Sequence, residues 1–186
     1  MNEIELIRTQ LSVERQHATA VAWACVSALA AAPAAVMTSI EPFRAAGIEY
    51  LAWILARFEE REQVFHDLIR KRFAAADPHR QAVEAALGAT GSNREALAKL
   101  EAALAANPEA NTTALRWGEF LKFFTGPWST RRDELDRLLQ LLPKVTDWRT
   151  VSAIDADSIV DERTRWARVK ATMPPDTELS SNTLRV

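Results

Sequence analysis

Apolar residues recur along this chain at helical spacing, and three long stripes carry the pattern. Over residues 3–31 the seam is Ile4, Ile7, Leu11, Ala18, Val21, Cys25 and Leu29. Over 42–73 it is Ile48, Leu51, Leu55, Phe58, Phe65, Ile69 and Phe73. Over 111–142 it is Trp117, Phe120, Phe124, Trp128, Leu135, Leu138 and Leu142. Steps of three and four residues keep side chains on one face of an α-helix. Pro33 ends the first helix, and residues 33–40 read as a loop before a helix that starts near Pro42. Asp77-Pro78 reads as a cap and first turn. The segment it opens stops at Gly88-Ala89-Thr90-Gly91, and Ser92-Asn93-Arg94-Glu95 restarts the helix as a capping box that runs to Asn107-Pro108. Gly126-Pro127 predicts a kink or break in the fourth segment, which Pro143 ends. Thr146-Asp147 and Asp157-Ser158 read as caps of two short helices, with Pro174-Pro175 stopping the second.

The expectation is an all-α protein: an up-down four-helix bundle with a broken third helix and two short C-terminal helices. Residues 1–172 form one domain, and residues 173–186 a mobile polar tail.

Each stripe lacks one member, and each gap holds a charge: Glu14, Glu62 and Arg131. An unpaired charge is very costly to bury, so such groups pair, lose their charge or bind metal. Three helices interrupted in this way point to a shared polar cluster inside the bundle.

Composition narrows the classes. Five glycines and one tyrosine argue against turn-rich sandwiches and barrels. A formal net charge of −2 with dispersed lysines and arginines gives no basic stripe for nucleic acid. The uncharged run 18–40 is mostly alanine, serine and threonine and is cut by Pro33, so no membrane span is expected. One cysteine, Cys25, forms no internal disulfide, which fits a cytoplasmic protein. It reads as an inert core thiol.

Candidate chemistry comes from the histidines. Glu14 and His17, and Glu62 and His66, are pairs one helical turn apart, and bundle proteins project such ligands inward onto iron or manganese. Glu14, His17, Glu62 and His66 are therefore candidate ligands for one Fe, Mn or Zn ion. Two alternatives stand beside this. A buried Glu-Arg network fixes helix register in a metal-free structural or interaction protein, in which Trp23 and Trp53 offer a homodimer patch. Alternatively, Arg131 or Arg132 pairs with a small anionic ligand between the helices.

The order of elements resembles the hemerythrin-like (HHE cation-binding) bundle family. The segment Phe58-Glu59-Glu60-Arg61-Glu62-Gln63-Val64-Phe65 is similar to that family's His-Phe-x-x-Glu-Glu-x-x-x-Phe segment without its histidine. Leu141-Leu142-Pro143 followed by Thr146-Asp147-Trp148 is similar to its closing segment. The resemblance covers residues 3–152. It implies a helical bundle with a metal centre in which His17 and Glu62 occupy ligand positions. The second-helix histidine falls at or near Phe58, and Trp128 stands where a fourth-helix ligand is sought. A reduced one-metal site, or a Glu14/Glu62/Arg131 network in its place, is what the resemblance implies here.

Overall fold

The computed structural model describes residues 2–31, 37–88, 92–105, 110–142 and 144–175, and all regular structure among them is helical. The elements are α1 (Glu3–Ala31), α2 (Met37–Arg72), α3 (Pro78–Gly88), α4 (Asn93–Ala105), α5 (Ala110–Thr125), α6 (Pro127–Leu139), α7 (Val145–Ser152) and α8 (Ala156–Thr172). The expected features at Ala89-Thr90-Gly91, Asn107-Pro108 and Pro143, the Leu29 side chain and the tail 176–186 lie outside the described residues.

Punctuation residues set most of the breaks. Asp77 Oδ1 accepts from the His79 amide at 2.8 Å, and Ser92 Oγ accepts from the Glu95 amide at 3.0 Å. Each satisfies a donor that a helix start leaves without an intrahelical partner. Pro127 opens α6, where its missing N–H costs nothing.

Three expectations need correction. α2 begins at Met37, so Pro42 lies inside the helix and residues 37–40, expected as loop, are helical, while Pro33 lies outside the described residues. Burial of Ile40, Phe43 and Ala46 holds this first stretch of α2 against the core despite the ladder bond that Pro42 forgoes. α8 is capped two residues before the expected site. Asp155 Oδ1 accepts from the Ser158 amide at 2.7 Å, and Ser158 Oγ accepts from the Asp155 amide at 2.9 Å. These bonds from Ser158 hold the Asp155 carboxyl below its ordinary range. Finally, Met173 packs against the core, so the folded unit extends beyond residue 172.

α1 packs on α2, α5 and α7; α2 also meets α3, α4, α7 and α8; α4 lies on α5, and α3 on α6. The buried side chains fall into two clusters. The larger draws Ala18, Val21 and Cys25 from α1, Phe43, Tyr50, Leu51, Leu55 and Phe58 from α2, Leu100 from α4, Trp117, Phe120 and Phe124 from α5, and Trp128 and Val169. The smaller draws Ile7, Phe65, Ile69, Val83, Leu135, Leu138, Leu142, Trp148 and Val151. Each long stripe passes from one cluster to the other at its missing member: between Ile7 and Ala18, between Phe58 and Phe65, and between Trp128 and Leu135.

Small residues set the α1–α2 separation. Ala18, Ala22, Ala24 and Ala28 are buried along α1. A Cβ at Gly47 would stand 2.5 Å from Cys25 Sγ and 3.3 Å from Val21 Cγ1. Gly47→Ala should therefore destabilise the fold by about 1–3 kcal/mol, despite alanine's better helix propensity. Adding Cys25→Ala should recover part of that loss. Chemical denaturation of the single and double variants checks this, and a stabilised Gly47→Ala protein would contradict the close approach.

Candidate functional site

Between the two apolar clusters lies a layer of five charged residues, Glu14, Arg61, Glu62, Arg131 and Arg132, none more than 7% exposed. Glu62 projects from α2 towards the start of α6. Its Oε2 accepts from Arg131 Nη2 at 2.6 Å and its Oε1 from Arg132 Nη1 at 2.8 Å. Glu14 projects from α1 towards α2, and its Oε2 accepts from Arg61 Nη1 at 2.5 Å. Arg61 Nε donates to the Ser152 carbonyl at 2.6 Å, which ties α7 to the same layer.

Phe58 joins the two groups. The Arg61 guanidinium carbon lies 5.7 Å from its ring centre and that of Arg132 4.8 Å. Burial pushes Arg132 below the ordinary arginine range, and the Glu62 carboxylate opposes this. Outward, Asp136 stands 3.8 Å from Arg132 and pairs with Arg15, which also binds Asp133 at 2.8 Å.

The expected Glu62–Arg131 contact is thus present. Glu14, however, meets Arg61, a residue the stripe reading did not single out, because that reading scored only the central position of each gap. His17 and His66 each turn to an acid on another helix. His17 Nδ1 lies 2.7 Å from Glu162 Oε1, and His66 Nε2 lies 3.9 Å from Glu84 Oε1. The four candidate ligands therefore have four separate sets of partners. Among the described residues no three His, Cys, Asp or Glu side chains gather as metal ligands. With both Glu62 oxygens and one Glu14 oxygen bonded to guanidinium groups, this donor set does not fit the metal centre that the family resemblance implies.

Comparison with family models, curated proteins and solved structures finds no match. The reading of this chain therefore stands on its own residues. Among the described residues no helix is long and apolar enough to cross a membrane.

Room in the layer decides the small-ligand reading. The cavity bounded by Leu11, Arg61, Glu62, Phe65, Arg132 and Ser152 holds about 20 Å³. Ligand pockets run to roughly 300–1,000 Å³, and 20 Å³ is near the space of one water. A larger groove of about 370 Å³ borders Arg131, but Glu59, Glu62 and Glu84 line it too. That acidic lining repels an anion. Arg132, expected as an anion partner, is closed into the layer on Glu62.

A second buried polar group lies on α8. Glu162 of α8 is 1% exposed, and Oε1 accepts from the Tyr50 hydroxyl at 2.9 Å as well as meeting His17. Its signal was present: Ile159, Trp166 and Val169 make a short stripe, and Glu162 interrupts it in the way Glu62 interrupts α2. A helix start at Asp157-Ser158 makes it a first-turn acid instead, which hides the interruption. His17 stacks flat on Trp166, with ring centres 3.8 Å apart and planes at 7°.

The remaining candidates are structural. Cys25 is buried, and desolvation pushes its thiol up to about 12. Trp53 lies beneath two guanidinium groups, Arg57 at 5.1 Å and Arg165 at 5.2 Å, whereas Trp23 is 36% exposed.

Two outcomes follow from these burials. Glu62→Gln leaves two buried guanidinium groups facing a neutral amide and should cost roughly 3–5 kcal/mol. Combining it with Arg132→Met should cost less than the sum of the single variants by about 1 kcal/mol or more, as measured by denaturation. Strict additivity would mean that the groups do not interact. At high pH, the unfolded chain ionises its thiol near the ordinary 9.0 while the folded chain holds it to about 12. Burial raises the Tyr50 hydroxyl above its ordinary value of 10.0 in the same sense. The unfolded state then binds fewer protons, so stability is full below about pH 9 and falls as pH climbs. Denaturant midpoints across that range should drop, and Cys25→Ala should flatten part of the slope. A flat profile in the parent protein would contradict the burial of these groups.

Proposed function

We propose that this chain is a metal-free structural or interaction protein, an up-down four-helix bundle whose interior charges fix the register of its helices. The observation that carries the reading is Glu62 held between Arg131 and Arg132 in a layer with about 20 Å³ of free space. Carboxylates committed to guanidinium groups are poor ligands, because a cation must displace charge-assisted bonds and leave buried arginines unpaired. The best-attested use of buried polar groups is to fix one packing arrangement over its competitors. The bundle reading is supported by the ring of contacts that α1, α2, α4 and α5 make, each with the next. A homodimer rests on Trp23 alone, since guanidinium groups cover the Trp53 ring.

Elemental analysis of the purified protein tests this directly. Iron, manganese and zinc should be well below one equivalent, and a chelator should leave the melting midpoint unchanged. A stoichiometric metal whose removal lowers the midpoint would overturn the reading in favour of a site at Glu14, His17, Glu62 and His66. For the dimer, sedimentation should show an association that Trp23→Lys weakens, and a strict monomer would remove that part.

A further inference from the structure

His17 stands apart from the charged layer, and its surroundings give it a chemistry that neither other histidine has. Glu162 receives the Tyr50 hydroxyl, so its carboxylate is an acceptor, and His17 Nδ1 must bring the proton to it. That fixes the tautomer: in the neutral ring, the lone pair sits on Nε2. Nε2 has no partner among the described residues, and 25% of the side chain is open to solvent. Positive charge that develops on the ring when Nε2 forms a bond is met by the buried carboxylate at Nδ1. It is also met by the Trp166 face stacked at 3.8 Å.

These are the requirements of an activated nitrogen nucleophile. Neither the cavity nor the groove described above includes His17. A partly exposed nucleophile outside both suits an acceptor of groups brought to it better than a catalyst.

We propose that His17 Nε2 is a modification site that accepts phosphoryl groups from acyl phosphate or phosphoramidate donors. In the step, Nε2 attacks phosphorus and an N–P bond forms. The donor's P–O or P–N bond breaks, and the carboxylate or ammonia leaves with the bonding pair. No atom changes oxidation state, and Nδ1 keeps its proton, hydrogen-bonded to Glu162. A phosphoryl group suits this role because an N-phosphorylated imidazole persists in neutral water, whereas an N-acyl imidazole is hydrolysed quickly.

The chain contains its own controls. His66 is 21% exposed, close to His17, but its nearest acid is Glu84 at 3.9 Å from Nε2. His79 is exposed and rests edge-on against Phe73. The full chain is incubated with phosphoramidate, and acid-labile, alkali-stable phosphorylation is mapped by mass spectrometry. His17 should react about tenfold or more faster than His66 and His79. Glu162→Gln should remove that advantage while leaving the other two rates unchanged. Tyr50→Phe, which keeps the carboxylate, should retain the advantage.

Equal rates at the three histidines of the parent protein, or no product at His17, would overturn the proposal. So would a His17 rate insensitive to Glu162→Gln. If Glu162→Gln loosens the fold, the His66 and His79 rates will rise together. The parent ratio and Tyr50→Phe then decide: a lost advantage in Tyr50→Phe with the other rates unchanged also overturns the proposal.

Discussion

Charge placed between two apolar clusters has to be cancelled where it stands, and this requirement organises the molecule. Five charged side chains separate the clusters, and among Arg61, Glu62 and Arg132 there is room for about one water. A carboxylate there needs a guanidinium group beside it. Arg131 and Arg132 supply two to Glu62 from consecutive positions at the start of α6. Such bonds tolerate little displacement, because a guanidinium moved along the helix would face hydrocarbon. The layer therefore opposes sliding of α6 along α2, or of α2 along α1, more strictly than interchangeable apolar contacts would.

The same logic explains which parts of this arrangement were legible in the sequence. The stripes were, since a period of three and four residues survives any detail of packing. The residues from Trp117 to Leu142 named on the last stripe are all buried. Glu14, Glu62 and Arg131 were legible as interruptions, because a charge on a buried face must be answered by something. Which partner answers it was not legible. Arg61 lies next to Glu62 in sequence and serves Glu14 across α1, and only the relative rotation of the two helices decides that. Sequence spacing likewise placed His17 near Glu14 and His66 near Glu62, one turn away. Tertiary packing turned His17 to Glu162 on α8 and set His66 near Glu84 on α3. A helical turn brings groups within reach, but Glu14 and Glu62 are already bonded to guanidinium groups, so each of these histidines faces an acid on another helix instead.

α8 shows how a local signal shifts a functional reading. Its capping box at Asp155 and Ser158 starts the helix at Ala156 rather than Ile159, and Glu162 lies on its inward face. There it gathers Tyr50 from α2 and His17 from α1, while Trp166 covers the imidazole. Arg165 and Arg168 bind Glu49 at the rim of the same contact. Rim pairs of this exposure add little stability, so the buried carboxylate and the aromatic stack carry the docking of α8. The molecule thus has two separate polar constructions. One is closed and guanidinium-rich and ties α1, α2 and α6 together, and the other holds a histidine whose side chain is one-quarter exposed.

Nuclear magnetic resonance of the arginine side chains tests the closed layer most directly. Guanidinium protons of Arg61, Arg131 and Arg132 should give resolved signals that exchange slowly with water, and Glu62→Gln should quicken exchange at Arg131 and Arg132. Arg94 and Arg116, which are exposed, provide the fast reference. Exchange at Arg61, Arg131 and Arg132 as fast as at that reference would contradict a dry charged layer.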